Sequence, residues 1–168
     1  MTQGLHIRRL TADEPASDIV ARWRHDAFFA SDGALFEDTL QAQQAWLSQP
    51  SDHELPLLAT VDGQPAGCCL FVRAEIDAKH DLTPWLASLY VTPEFRTRGI
   101  GAALVRAIER HARDVGCGEL HLYTGKAEPF YARLGWIARE RFDWHGEHLI
   151  LMTRTLARAG QPAAEASS

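Results

Sequence analysis

The stretch WLASLYVTPEFRTRGIGAALVRAIERHARDV, from Trp85 to Val115, decides how the rest of the chain is read. Trp85 to Val91 is apolar and ends in β-favouring residues, and Pro93 stops any continuation, so a strand is expected there. Ile100, Leu104, Ala107, Ile108, His111 and Val115 then recur at helical spacing, which predicts a helix running to a stop at Gly116-Cys117-Gly118. Between strand and helix lies Arg96-Thr97-Arg98-Gly99-Ile100-Gly101. Its two glycines let the backbone approach a ligand, the first helical turn offers unpaired N–H groups, and the two arginines add positive charge. The combination suits a phosphate or pyrophosphate.

Upstream, LHIRRL (Leu5 to Leu10) alternates as a first strand, and Asp13-Glu14-Pro15 reads as a turn. Two helices follow, Asp18 to Phe29 with Ile19, Val20, Trp23 and Ala27 on its apolar stripe, and Phe36 to Leu47 with Leu40, Ala45, Trp46 and Leu47. Trp23, Phe28, Phe29 and Trp46 are expected in the core. Leu55 to Val61 and Gln64 to Ala74 flank Asp62-Gly63, a strong hairpin signal, and the polar segment Glu75 to Thr83 is a connection. Downstream come a strand at Glu119 to Thr124, a short helix at Glu128 to Leu134, and a last hairpin, Trp136 to Trp144 and Glu147 to Leu156, across His145-Gly146. The order predicts an α/β fold in one domain, residues 1–156: a mixed sheet with helices on its faces. The Ala/Pro/Gly/Ser-rich tail from Ala157 to Ser168 is expected to be disordered.

The bulk properties narrow the function classes. At 168 residues, 46% hydrophobic and 23% charged, the chain has the composition of one globular domain, and no apolar run approaches a membrane span. Three unspaced cysteines (Cys68, Cys69, Cys117) and an N-terminus without a long apolar core point to a reducing cytoplasm. A net charge of −5 argues against a nonspecific nucleic-acid binder.

Two familiar glycine motifs fail at the Arg/Gly turn. A dinucleotide fingerprint needs a third glycine, but Gly99-Ile100-Gly101-Ala102-Ala103-Leu104 ends in leucine, and a P-loop needs a Gly-Lys-[Ser/Thr] that Gly125-Lys126-Ala127 does not supply. Arg96-x-x-Gly99-x-Gly101 instead resembles the acetyl-CoA pyrophosphate motif, R/Q-x-x-G-x-G/A, of the GCN5-related N-acetyltransferases (GNAT). The later block from Thr124 to Trp136, TGKAEPFYARLGW, is similar to that family's N-x-x-A-x-x-F-Y-x-x-x-G-F pattern. The resemblance implies the GNAT acyl-CoA N-acyltransferase fold, a central mixed, mostly antiparallel sheet flanked by helices. It also implies acetyl-CoA as cosubstrate and an amine acceptor, either a small molecule, a peptide N-terminus or a lysine, with no metal. Many members pair as homodimers.

Residue by residue, the resemblance gives the diphosphate to Arg96, Thr97, Arg98, Gly99, Ile100, Gly101 and Ala102, and gives the pantetheine arm and thioester to the backbone of Leu89, Tyr90 and Val91. It places Phe130 and Thr124 against the cofactor, Thr124 standing where many members have an asparagine. Tyr131 falls where a hydroxyl protonates the leaving thiolate. Tyr90 and Tyr123 are explained by strand packing. The general base stays open among Glu75, Asp77, His80, Asp81, Asp143, His145 and His148. His145-x-x-His148 has metal-ligand spacing but lacks further ligands nearby and reads as a solvated turn. Phe142 and Trp144 either line the acceptor pocket or pack on the sheet. A noncatalytic acetyl-CoA-binding module, a hydroxyl acceptor and a longer acyl group remain as alternatives.

Overall fold

In the computed structural model, which describes residues 4–75 and 79–157, the chain runs β1 (Leu5–Arg9), α1 (Pro15–Arg24), α2 (Phe36–Leu47), β2 (Leu55–Val61), β3 (Gln64–Val72), β4 (Trp85–Val91), α3 (Ile100–Asp114), β5 (Glu119–Thr124), α4 (Glu128–Arg133), β6 (Ile137–Trp144) and β7 (Glu147–Thr155). The seven strands form one sheet in the order β1-β2-β3-β4-β5-β7-β6. Every neighbouring pair is antiparallel except β4 and β5. Both tight hairpins follow their sequence signals. Asp62 and Gly63 take φ of 51° and 82°, and His145 and Gly146 take 50° and 80°, the paired positive values that a twist-matched two-residue turn requires.

Alternation along the strands divides the core between the two faces of the sheet. Leu57 and Ala59 pack on one face with Phe71, Leu120 and Leu122, under Ile100, Leu104, Val105, Ile108 and Ala112 of α3. Leu58 and Cys68 pack on the other with Leu10, Val20 of α1 and Leu47 of α2. Leu104 has no exposed surface, so its truncation to Ala costs about 2–5 kcal/mol.

The structure corrects several helical expectations. The first helix begins at Pro15 and ends at Arg24, and His25–Phe29 continue as a wider π turn. Proline at the first helical position has its φ preset and no N–H to satisfy, so the expected turn is a helix start. Ile19 and Phe28, expected inside, are each 40% exposed. On α2 the buried positions are Thr39, Gln43 and Leu47, whereas Ala45 is exposed. That rotation is set by polar contacts with α1 and the π turn after it: Gln43 Nε2 donates to the Ser17 carbonyl at 2.7 Å, and Thr39 Oγ1 lies 3.2 Å from His25 Nδ1. The expected tail lies outside the described residues beyond Ala157, as does Asp77 of the connection.

Candidate active site

β4 and β5 meet and then part. Their one paired position is Trp85↔His121, after which β4 stays with β3 as far as Val91 while β5 is zipped to β7 from Glu119↔Thr155 to Thr124↔Ile150. A bulge accompanies the parting. The β3–β4 register shifts between Cys68 and Leu70, and Ser88 takes φ of 53°. A bulge bends its strand and increases local twist. Past the Trp85↔His121 pairing, no residue of β4 is in register with β5.

The N-terminus of α3 stands at the wide end of this opening. Phe95 is buried and anchors the turn, and Thr97 and Gly99 take φ of 64° and 81°. The Ala103 N–H donates to the Gly99 carbonyl at 3.0 Å. The amides of Ile100, Gly101 and Ala102 thus fall in the first turn, where no helical acceptor exists. A Cβ on Gly101 would stand 3.5 Å from Phe130 Cζ and 3.8 Å from Val91 Cγ2, so the end of β4, the start of α3 and α4 converge on one point. Arg96 Nε donates to the Val91 carbonyl at 2.9 Å, its guanidinium 5.6 Å from the centre of the Tyr90 ring. The Arg98 guanidinium lies 5.3 Å from that of Phe95.

Tyr131 enters from α4 and is buried. Burial, reinforced by the nearby Cys69 thiol, pushes its hydroxyl well above the ordinary tyrosine value and keeps it protonated at neutral pH. Its helix is fastened at both ends. Thr124 Oγ1 accepts the Ala127 N–H at 3.0 Å, and Arg106 and Arg154 donate to the carbonyls of Leu134 and Gly135, each at 3.0 Å. The two arginines also converge on the fully buried Glu109, at 2.8 Å and 3.4 Å.

On the opposite face of the sheet, a second set of polar groups borders the same opening. Arg24 of α1 donates through Nε to Ser88 Oγ at 3.2 Å and through Nη1 to Gln43 Oε1 at 3.1 Å. Burial lowers its pKa, partly opposed by Cys68 and Glu75. Burial likewise raises Glu75, with Arg24 opposing. His80 places Nδ1 2.5 Å from Tyr123 Oη and Nε2 2.6 Å from Glu140 Oε2. The Tyr123 ring stacks on Trp85 at 4.6 Å and meets Phe142 edge-on at 5.4 Å.

The expected site residues thus gather at the opening, with two differences in detail. The Ile100 side chain is buried in the core, so only its backbone faces the turn, and the Thr124 hydroxyl is engaged in capping α4. Tyr90 packs against Trp23 at 5.5 Å, as strand packing predicts. Tyr123, expected only to pack, also bonds to His80, whose other nitrogen meets Glu140, a residue no sequence motif singles out. The signal for Tyr123 lay in ELHLYT, an interior strand with His121 and Tyr123 on one face. Among the other base candidates, Asp143 and His148 bond to each other across the exposed end of the β6–β7 hairpin and His145 meets Trp144 edge-on at 4.8 Å. A separate hollow of about 560 Å³, bordered by Arg73, Thr83 and Glu119, lies at the opposite end of β4.

Comparison with known proteins bears on the fold and the family. The chain is 33% identical over 110 residues to the uncharacterised N-acetyltransferase YjhQ of Escherichia coli K12, covering 64% of this chain and 58% of that protein. It is 29% identical over 97 residues to thialysine N-epsilon-acetyltransferase of Sus scrofa, covering 51% and 54%. The match therefore spans little more than half the length of these curated relatives. In structure it resembles aminoglycoside 6′-N-acetyltransferase complexed with coenzyme A (TM-score 0.71, 15% identity, 94% of this chain and 99% of that one). It also resembles yncA of Salmonella typhimurium, solved with acetyl-CoA (TM-score 0.70, 16% identity, 96% and 99%). The family model described as Acetyltransferase (GNAT) family matches residues 18–136, well over half of the sequence, and the chain belongs to that family.

Proposed function

We infer that the protein transfers the acetyl group of acetyl-CoA to a primary amine by direct attack in a ternary complex. The observation that carries this reading is the parting of β4 from β5 directly onto the N-terminus of α3. An extended arm bearing amides needs a strand edge with free donors and acceptors, and a diphosphate needs converging N–H groups and cations. The edge of β4 at Leu89, Tyr90 and Val91, which β5 does not pair, meets the first need. The turn from Arg96 to Ala102 meets the second, with backbone amides and two guanidinium groups.

The chemistry then asks for three things of the chain. An N–H on the free edge of β4 would stabilise the oxyanion of the tetrahedral intermediate. Tyr131, held protonated by burial, would give its proton to the departing thiolate and recover one from the nitrogen. Phe130 beside Gly101 would close the wall of the channel. The names of two similar proteins specify transfer to nitrogen, on thialysine and on an aminoglycoside, which favours an amine over a hydroxyl acceptor.

The test measures thiol release from acetyl-CoA across a panel of primary amines, alongside acetyl-CoA affinity by calorimetry. Turnover on at least one amine, with affinity reduced more than ~10-fold in the Arg96→Ala, Arg98→Ala double variant, is expected from the loss of two charge-assisted contacts. Tight binding with no turnover on any amine would make the chain an acetyl-CoA-binding module. Unchanged affinity in the double variant would remove the diphosphate from this turn.

A further inference from the structure

The face of the sheet opposite Tyr131 holds a hydrogen-bonded chain that nothing above employs. Glu140 is half exposed, with 46% of its side-chain surface accessible, whereas the His80 side chain keeps only 15%. An ionised carboxylate only accepts hydrogen bonds, so His80 Nε2 carries the hydrogen toward Glu140. In the neutral ring Nδ1 is then an acceptor, and the hydrogen between it and Tyr123 belongs to the tyrosine. The order is Tyr123 O–H to His80 Nδ1, then His80 Nε2–H to Glu140, running outward from the sheet to solvent.

The inner end of this chain sits where the opening begins. Tyr123 lies two residues beyond the single pairing Trp85↔His121, where β5 is no longer paired with β4. Its ring is fixed between Trp85 and Phe142, and His80 itself packs edge-on against Phe142 at 5.3 Å. The segment carrying His80 is tied down by Thr83 Oγ1 donating to the Arg73 carbonyl at 2.8 Å and by Trp85 Nε1 donating to the Leu82 carbonyl at 2.7 Å. A tyrosine needed only for packing has no reason to end on a histidine that is itself held by a carboxylate.

We propose that Tyr123 and His80 form the proton exit for the acceptor amine, with Glu140 as the residue that positions His80 and stabilises its imidazolium. This rests on the acetyltransferase reading. An alkylammonium arriving at the opening passes one proton to Tyr123 Oη while the tyrosine's own proton moves to His80 Nδ1. The freed lone pair then forms the C–N bond and the C–S bond breaks. The second proton lost by nitrogen ends on sulfur as the free thiol, and the first leaves His80 for solvent. Tyr123 does not ionise in this scheme. Burial, with Glu75 and Glu140 adding repulsion, pushes its hydroxyl up to about 12. The charged groups around the chain are Glu75 and Lys79 on the connection, Lys79 Nζ standing 4.9 Å from the Phe142 ring centre, Glu140 on β6, and Arg24 of α1 acting on Glu75.

The test follows kcat/KM against pH for the full chain with two acceptors, an alkylamine protonated at neutral pH and a fluorinated alkylamine that is largely neutral there. His80→Gln should lose ~100-fold with the basic amine at neutral pH, recover tenfold per unit as pH rises, and lose only a few-fold with the weakly basic amine. Tyr123→Phe should behave alike. Glu140→Gln, a half-exposed change, should lose activity with the basic amine, by less than His80→Gln does, and spare the weakly basic one. Equal losses with both amines, at every pH, would make His80 a structural residue and overturn the relay. Wild-type activity matched by both His80→Gln and Glu140→Gln would do the same while leaving the transferase reading standing. A wild type that acetylates no amine overturns both.

Discussion

The two sides of the opening between β4 and β5 are built in different ways. The side proposed for the cofactor is made by short-range sequence: a strand, a turn with positive φ at Thr97 and Gly99, and a helix whose first amides are left over by geometry. The acceptor side is made by contacts between distant segments, His80 with Tyr123 and Glu140, and Arg24 with Ser88. Backbone amides cannot be mutated away and tolerate change around them. Side-chain chains depend on every member, so the acceptor side is where specificity can change without loss of the fold.

The largest expected effect tests whether chemistry also divides between the sides. Tyr131→Phe removes one oxygen from the cofactor side and should lower kcat ~100- to 10,000-fold, with acetyl-CoA affinity and Tm nearly unchanged. A loss confined to KM would move the proton donor elsewhere. Next is a buried side-chain network on the cofactor side. Glu109→Ala strands Arg106 and Arg154, which hold the exit of α4. Removing one partner of a buried ion pair costs several kcal/mol, and both arginines reach solvent, so about 3 kcal/mol is expected by denaturant titration. A smaller pair of substitutions separates conformation from contact. Gly99→Ala forces alanine to φ of 81° and should cost about 1–2 kcal/mol. Gly101→Ala meets only ordinary contacts, so stability should hold while acetyl-CoA binding weakens if the arm passes between Gly101 and Phe130.

The same division explains what the sequence disclosed. The strand–turn–helix from Trp85 to Val115, the Asp62-Gly63 hairpin and the Phe130-Tyr131 block are local patterns, and each is found where its spacing placed it. Inside α3 the spacing predicts an apolar stripe, whereas Glu109 is buried there against Arg106 of the same helix and Arg154 of β7, a pairing that no local pattern signals. On α2 the rule that apolar residues face inward fails because Thr39 and Gln43 are drawn in by partners on α1 and on the π turn that follows it. His80 was one base candidate among seven because nothing in a linear reading joins positions 80, 123 and 140. Only the sheet order, with β5 inside and β6 at the edge, brings them together.

The smallest effect uses a third residue of the acceptor face of β5. His121 is 3% exposed, with Nδ1 2.9 Å from Thr153 Oγ1. Burial lowers its pKa, Glu119 at 3.7 Å opposes this and Arg139 adds to it. Above about pH 6.5 the histidine is neutral in both folded and unfolded chains and contributes no pH dependence. As pH falls below that value the unfolded chain takes up the proton first, so stability falls until the lower folded pKa is reached, by at most about 1.4 kcal/mol per pH unit. Glu14 acts in a different window. Its carboxylate, bonded to Arg8 at 2.6 Å, is held at about 2, so its contribution is complete above the unfolded value near 4.5 and is lost from there downward. Between these windows the two groups separate. His121→Asn should flatten the decline that begins near pH 6.5 and leave the later one, whereas Glu14→Gln should do the reverse. Unfolding midpoints in urea across both ranges decide it, and a decline near pH 6.5 that survives His121→Asn would assign it to another histidine.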